Sequence, residues 1–297
     1  MRSNERGRFF GTAALAVVLA VGLVGCASLD GEDSESVKNQ ATWTMPLDEF
    51  YVYSPELDNY AEQLLIANCL EAQGYQWPVP WQDTNYEQAE DFNAIGFRLF
   101  TVELAKKWGY HFAPPANPTS TQLWGEFVDV TDSYFPDAEL DEAFLSCTDE
   151  VREEDEDFLT SVDGVNYLAG LALQAEQVVQ QDDAVIEATD KWRTCLEPKV
   201  DFTLPQDPRT EMPPADAQRK WGLDDESASA EELAVAVADA ECRDSSGLSE
   251  ITYEKSWAEQ EKLVEENRDN LERIRSEAAE RKEYLLTIVA ANAPAAP

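Results

Sequence analysis

The longest helical pattern of the chain runs from residue 249 to residue 291. Its apolar side chains recur every seven residues, at Trp257, Val264, Leu271, Ala278 and Leu285. A stripe this narrow on a helix this long must be covered by another long helix. Because Gln260, Asn267 and Arg281 are polar residues at adjacent stripe positions, a coiled coil between two copies of the chain is disfavoured. We therefore expect the C-terminal helix to pack on the helical pattern at 165–196 of the same chain.

Shorter helices are predicted along the rest of the chain from capping signals and from the spacing of apolar residues. They run from Pro55 to the residue before Gly74, over 97–107, from Asp137 through Cys147, over 165–196, and from a capping box at Ser229 through Cys242. The sequence therefore predicts an all-α fold, with long helices as its scaffold and irregular, aromatic-rich connections between them.

The N-terminal residues have the layout of an export signal. Three arginines stand among the first eight residues, and an uncharged apolar stretch follows at 9–25. The junction reads Leu23-Val24-Gly25-Cys26, which resembles the lipobox of bacterial lipoproteins. The resemblance implies cleavage before Cys26 and a diacylglycerol on its sulfur, which would anchor the protein to the membrane. An uncleaved transmembrane anchor is the alternative, and both interpretations place the rest of the chain outside the cytoplasm.

The organisation expected from these patterns has five parts. Residues 1–25 are the signal peptide, and 26–42 are the lipidated cysteine with a flexible acidic tether. A first helical, aromatic-rich half follows at 43–157, and a second helical half with the long C-terminal helix at 158–292. Residues 293–297 are expected to be a disordered tail.

Four cysteines remain in the exported part of the chain once Cys26 carries lipid: Cys69, Cys147, Cys195 and Cys242. An even number of cysteines in an exported protein predicts two disulfides, for which three connectivities exist. A zinc site made of four thiolates is the competing interpretation, but the paired CxxC spacing typical of such sites is absent.

Three short landmarks occur twice in the same order, which suggests a diverged internal duplication. They are Cys69-Leu70-Glu71 and Cys195-Leu196-Glu197, Lys107-Trp108-Gly109 and Lys220-Trp221-Gly222, and the runs from Ala138 to Cys147 and from Ala230 to Cys242. If each copy closes its own bridge, the disulfides are Cys69–Cys147 and Cys195–Cys242. Chance similarity of short motifs is the alternative.

The sequence also resembles, over most of the mature chain, a loose group of actinobacterial cell-envelope lipoproteins. That group has a W-x-x-C-[ML] helix and a later A-D-x-x-C helix, which correspond here to Trp192, Cys195 and Leu196, then Ala238, Asp239 and Cys242. The first copy departs from this pattern, because Ile66 stands where the tryptophan would be. The resemblance implies an envelope location and assigns no activity to any residue.

The composition excludes several classes of function. The chain has 60 Asp and Glu against 22 Lys and Arg, a formal net charge of −38, so it offers no basic surface for nucleic acid. Its single histidine, His111, excludes histidine-cluster zinc sites, and any Ser-His-Asp triad would depend on that residue. His111 is a candidate general base, with a hydrogen-bonded, partly buried histidine as the alternative.

Aromatic residues are concentrated in the first half of the chain and give one candidate ligand site. Exposed rings stack on sugars, so a glycan or peptidoglycan groove is predicted at Trp77, Trp81, Trp108, Tyr110 and Trp124. The alternative is that these side chains fill the core of a region with few regular elements.

An acidic cluster gives a candidate cation site. It comprises Asp149, Glu150, Glu153, Glu154, Asp155, Glu156 and Asp157. Calcium binds clusters of oxygen ligands, but the spacing matches no EF-hand loop. A solvated helix face or linker is the alternative, and no other cofactor is predicted.

These features favour a non-catalytic binding or structural lipoprotein of the cell envelope. A wall component or a basic exported protein would be its partner, since strong negative charge attracts basic surfaces. Two alternatives are a wall glycan hydrolase or transglycosylase with a carboxylate in 43–144, and a solute-binding lipoprotein of a transporter. The last usually requires alternating strands and helices in two lobes, a pattern that this sequence lacks.

Overall fold

The computed structural model describes residues 37–85, 87–134, 137–153, 155, 158–223 and 227–297. The predicted export signal, Cys26 and most of the predicted tether lie outside these residues, as do Glu154, Glu156 and Asp157 of the acidic cluster. The predictions made for them are therefore not described structurally.

The described residues form an all-α fold, as predicted. The helices are α1 (Pro55–Ala72), α2 (Val102–Trp108), α3 (Pro118–Asp132), α4 (Ala138–Glu153), α5 (Phe158–Gln180), α6 (Asp183–Leu196), α7 (Pro208–Glu211), α8 (Ala215–Trp221), α9 (Ala230–Ser246) and α10 (Leu248–Asn292). Short 3-10 turns occur at Gln40–Thr42, Asp48–Phe50 and Glu197–Lys199. Within the described ranges the extended backbone forms no strand, only one isolated antiparallel bridge between Phe92 and Arg98. No helix in these ranges combines the length and apolar composition needed to cross a membrane.

The long helix α10 forms the spine of the molecule. It packs on α5, as predicted, and also on α1 and α6. Its apolar stripe enters a core with α5, where Leu263 and Leu271 lie with Leu168. The two helices approach so closely at Gly164 that a Cβ there would lie 3.1 Å from Cγ2 of Ile274. The contact with α1 was not predicted from the sequence.

The polar residues of the α10 stripe bind other parts of the same chain. The backbone N–H of Leu47 donates to Gln260 at 3.2 Å, and the Tyr167 hydroxyl donates to Asn267 at 2.6 Å. Arg281 is buried and donates through Nη2 to Asp58 at 2.7 Å, while its Nη1 pairs with Asp155. Because a buried guanidinium must be paired, these positions fix the register of α10 against its neighbours.

Two of the sequence-based helix boundaries were wrong, for reasons of capping. The expected helix at 165–196 is two helices, because the Asp182 side chain accepts the backbone N–H of Ala184 at 2.9 Å and starts α6. The helix expected at 97–107 begins later, at Val102, because Thr101 caps it. Helix α3 was not predicted, although Asn117 followed by Pro118 is a typical helix start.

The predicted disulfides are confirmed. The disulfide Cys69–Cys147 joins α1 to α4, and Cys195–Cys242 joins α6 to α9. We call α1 and α4 with their disulfide the first pair, and α6 and α9 with theirs the second pair. The other repeated landmark also occupies equivalent positions, since Lys-Trp-Gly closes both α2 and α8 with a glycine at positive φ, 62° at Gly109 and 60° at Gly222.

Residues 38–44, which include the end of the predicted tether, are docked on α10. Lys38 forms a salt bridge with Glu254 at 2.6 Å, and the Tyr253 hydroxyl donates to the carbonyl of Thr44 at 2.8 Å. The ring of Trp43 meets the Tyr253 ring at a centroid distance of 5.2 Å. The expectation of a flexible tether through residue 42 is therefore wrong for its last residues, because these contacts hold 38–44 against α10.

Candidate functional site

A cavity of about 350 Å³ lies between the docked N-terminal segment, the chain around α2, the region of α7, the end of α9 and the start of α10. Its size is within the range of small-molecule sites. It is lined by Gln40, Ala41, Trp43, Phe97, Arg98, Leu99, Phe100, Thr101, Tyr110, Pro208, Arg209, Met212, Arg243, Asp244, Leu248, Ser249 and Thr252. Five separate stretches of sequence therefore build one site.

Three arginines line this cavity in a strongly acidic chain. Each is paired with a carboxylate that does not line the cavity: Arg209 pairs with Glu176, and Arg98 Nε lies 3.4 Å from Asp91. Asp244, an exposed residue, is the one carboxylate among the lining residues. The lining therefore contains three guanidinium groups and one carboxylate, and the carboxylates paired with the arginines are not part of it.

The third arginine, Arg243, belongs to a buried network centred on Asp239. Arg243 donates through Nε and Nη2 to the Asp239 carboxylate at 2.8 and 3.0 Å. The same carboxylate accepts from Trp192 Nε1 at 2.7 Å and from the Tyr110 hydroxyl at 3.0 Å. Burial disfavours the charged guanidinium, but the attraction of Asp239 prevails and raises the pKa of Arg243. Four polar side chains thus satisfy one another in the interior.

The aromatic side of the cavity is a stack of rings. Phe100 and Tyr110 are stacked with centroids 5.3 Å apart, and Tyr110 and Trp221 are stacked at 5.5 Å. The Arg243 guanidinium lies over Phe100 at 4.8 Å. Burial, reinforced by the nearby Asp239 charge, raises the pKa of Tyr110, so its hydroxyl remains a donor. The stack is tied to the Asp239 network through the hydrogen bond that the Tyr110 hydroxyl donates.

A strained residue closes another part of the wall. Trp43 has φ 51°, in the left-handed region, and no other non-glycine residue in the described ranges has a positive φ. Its ring stacks on Phe97 at 5.5 Å, and its carbonyl accepts from Asn93 Nδ2 at 3.1 Å. Such backbone strain costs roughly 1 kcal/mol or more and is concentrated at functional sites.

Several polar groups of the lining have unused hydrogen-bonding capacity. Arg98 donates through Nη2 to the carbonyls of Tyr110 and His111 at 2.9 and 2.6 Å. Within the described part of the chain, no hydrogen bond uses the Nη1 groups of Arg98 and Arg243. The Thr252 hydroxyl is buried and also lacks a partner among these residues. A buried hydroxyl without a partner is unfavourable unless something else binds it.

His111, the candidate general base, lies in a structural contact behind the cavity. Its Nδ1 is 2.8 Å from Oε1 of Glu232, which also accepts the backbone N–H of Tyr110 at 2.8 Å. Glu232 is fully buried, and a Cβ at Gly109 would lie 2.6 Å from this oxygen. His111 is not among the lining residues, so the contact fixes the chain after α2 against α9.

The aromatic residues selected from the sequence do not gather in one groove. Trp77 and Trp124 pack with Phe127 in the apolar cluster of the first pair. Trp108 is partly buried and its Nε1 contacts Glu90, while Trp81 is partly buried elsewhere. Of the five, only Tyr110 lines the cavity.

The acidic cluster is spread over the end of α4 and the residues after it. Asp149, Glu150 and Glu153 are exposed, and Asp155 pairs with Arg281. In the described part of the chain, no three or more His, Cys, Asp or Glu side chains are placed to hold a metal ion.

Comparison of this chain with protein-family models, with curated proteins and with solved structures gave no match. Its function must therefore follow from its own residues. Sequence reasoning missed the three arginines of the cavity, which lie far apart in the chain. The signal available for one of them was its position, since Arg243 directly follows the A-D-x-x-C motif.

Proposed function

We propose that the protein is an extracytoplasmic lipoprotein, anchored through Cys26, that binds a small ligand in this cavity without transforming it. The observation that carries the proposal is the cavity itself, with three arginines and several aromatic side chains among its lining residues. Binding sites are typically apolar clefts with a few convergent polar groups.

The chemistry of the lining favours binding over hydrolysis. A wall glycan hydrolase needs two carboxyl groups across the scissile bond, and the lining offers one, Asp244. Arginine stays protonated and serves neither as acid nor as base. The alternative of a hydrolase with a carboxylate in 43–144 gains no support, because none of the lining residues in that range is an Asp or Glu.

Two other expectations bear on what surrounds this site. The all-α fold differs from the two-lobed pattern usual for solute-binding lipoproteins of transporters, which disfavours that alternative. The acidic exterior suits a basic wall component or exported protein as a second partner, through long-range attraction.

The anchor is tested by labelling cells with a palmitate analogue and isolating the protein. The wild-type chain should carry label and fractionate with the membrane, whereas Cys26→Ala should lose the label. Label retained in Cys26→Ala, or none in the wild type, would contradict the anchor.

Ligand binding is tested by native mass spectrometry of the lipoprotein extracted from its own envelope. Ser249→Phe places a large ring at the cavity wall, and Ser276→Phe makes the same change at an exposed position of the same helix. A bound mass present in the wild type and in Ser276→Phe, and absent from Ser249→Phe, is expected. A mass present equally in all three would place the ligand elsewhere.

A further inference from the structure

We infer that the ligand of this cavity is a small organic anion, with one acidic head group beside the arginines and an aromatic or acyl body against the stacked rings. This inference rests on the proposed function and assigns a chemical class to its ligand.

The sign of the head group follows from the lining. Arg98, Arg209 and Arg243 line the cavity, and the one lining carboxylate, Asp244, lies at its exposed side. The carboxylates that pair with these arginines, Asp91, Glu176 and Asp239, are not among the lining residues. Guanidinium groups bind carboxylate, sulfonate and phosphate oxygens through charge-assisted hydrogen bonds.

Unused donors provide a second, independent observation. The Nη1 groups of Arg98 and Arg243 are free of protein hydrogen bonds within the described ranges, and both residues line the cavity. These two groups match the oxygens of an acidic head group, which accept charge-assisted hydrogen bonds.

The body of the ligand is indicated by the remaining walls. Trp43 stacked on Phe97 provides an apolar surface on which a ring or a short acyl chain can lie, and Phe100 and Leu99 extend the apolar lining. The cavity volume of about 350 Å³ is within the range of small-molecule sites. One ring system or a short chain fits this volume.

The probes are two dyes that share an aromatic body and differ in charge. Anilinonaphthalene sulfonate is anionic, and N-phenyl-1-naphthylamine is its neutral counterpart. The chain from Ala27 onward contains every described contact. It is titrated with each dye, and the dye fluorescence is measured to obtain the affinity. The inference predicts that the anionic dye binds about tenfold more tightly than the neutral one.

Matched variants locate the binding. Ser249→Phe should weaken both dyes about tenfold or more, while Ser276→Phe leaves both unchanged. Arg209→Gln should weaken only the anionic dye, about fivefold, because Glu176 then lacks its counter-ion beside the cavity. Arg219→Gln removes the same charge from an exposed position and should have no effect. Near-UV circular dichroism shows which variants are folded, and Arg209→Gln tests the site should Ser249→Phe not fold.

The outcomes separate the inference from the function on which it rests. Equal affinity for the two dyes, lost together in Ser249→Phe, would overturn the anionic class and leave the binding function standing. Equal anionic-dye affinity in Arg209→Gln and Arg219→Gln would also overturn it. Binding of neither dye above the level of Ser249→Phe would overturn both.

Discussion

The first and second disulfide pairs have the same covalent frame and opposite interiors. In each pair one cysteine is fully buried, Cys147 or Cys242, and its partner is partly exposed. Three residues before the two cysteines of the first pair stand Ile66 and Phe144. The same positions in the second pair are Trp192 and Asp239, which are hydrogen-bonded to each other.

The polar interior of the second pair follows from a series of hydrogen-bonding requirements. A buried indole N–H needs an acceptor, and the Asp239 carboxylate supplies it to Trp192 at 2.7 Å. A buried carboxylate in turn needs a cation, which is Arg243, and Arg243 lines the cavity. The equivalent position of the first pair makes an apolar contact instead, since Phe144 packs against Trp77 at a centroid distance of 4.9 Å. A polar interior therefore connects one disulfide pair to the candidate site, and an apolar interior leaves the other as scaffold.

The largest expected effect comes from breaking the polar interior. Asp239→Ala leaves Arg243 buried without its counter-ion and should reduce the free energy of unfolding by about 3–5 kcal/mol. Phe144→Ala, at the equivalent position of the first pair, should cost about 2 kcal/mol, because that ring is only partly buried. Urea unfolding measures both, and a smaller loss for Asp239→Ala would contradict the contrast.

Removing the disulfides should have similar effects in the two pairs. Replacing both cysteines of a pair by alanine should cost about 2–4 kcal/mol, because the unfolded chain gains freedom. The loop of the first pair spans 78 residues and that of the second 47, so the first loss should be larger by roughly 0.5 kcal/mol. Urea unfolding of the two double variants tests this. A clearly larger loss of unfolding free energy in the second pair would show that the two disulfides do not contribute equally.

The pH dependence of stability that arises from Asp48 should not depend on either disulfide pair. Burial raises the pKa of Asp48 to about 7, against the lowering effect of its hydrogen bond from the backbone of Met45. Between pH 4 and pH 7 the folded protein therefore holds a proton that the unfolded chain releases, so stability falls as pH rises through this window. Asp48→Asn should remove this fall and stabilise the protein at pH 8 by about 1–2 kcal/mol.

The control for Asp48 removes the same charge from an exposed site. Asp216→Asn should leave the pH dependence of urea unfolding unchanged, since Asp216 is exposed. Asp48 lies in a 3-10 turn outside both pairs, so Asp48→Asn should act equally when either disulfide is absent. An equal pH response in Asp48→Asn and the wild type would contradict the assignment.

The smallest effect on stability accompanies a change in disulfide reactivity. Four residues after the exposed cysteine, the first pair has Gln73 and the second has Lys199, each in contact with both sulfurs. The ammonium of Lys199 stabilises a leaving thiolate, so Cys195–Cys242 should be reduced faster than Cys69–Cys147. Lys199→Gln should slow this reduction about fivefold and Gln73→Lys should accelerate the other, as measured by alkylation and mass spectrometry under dithiothreitol. Unchanged rates in both variants would show that these side chains do not control reduction.

Local signals account for what the sequence predicted correctly. The Ser54 cap with Pro55, and the seven-residue stripe of α10, each depend on neighbours within one helix. The disulfide pairing was predictable because the landmarks around Cys69 recur around Cys195. The break at Asp182 was missed because apolar spacing continues across it, although aspartate is a typical cap.

The candidate site was beyond sequence reasoning because its parts meet only in the folded chain. Arg98 and Arg243 are separated by 145 positions, and nothing local shows that both reach one cavity. Tyr110 was selected as a sugar-stacking ring, yet its role depends on a hydrogen bond to Asp239 across 129 positions. Tertiary contacts of this kind leave no periodicity in a single sequence.

Two equivalent substitutions test most directly whether the polar interior of the second pair is linked to the cavity. Arg243 and Thr148 each follow the buried cysteine of their pair. The affinity for anilinonaphthalene sulfonate is measured in Arg243→Gln and Thr148→Gln, at a temperature where near-UV circular dichroism shows both folded. The account predicts a loss of about tenfold or more in Arg243→Gln and wild-type affinity in Thr148→Gln. Equal affinities in the two folded variants would contradict it.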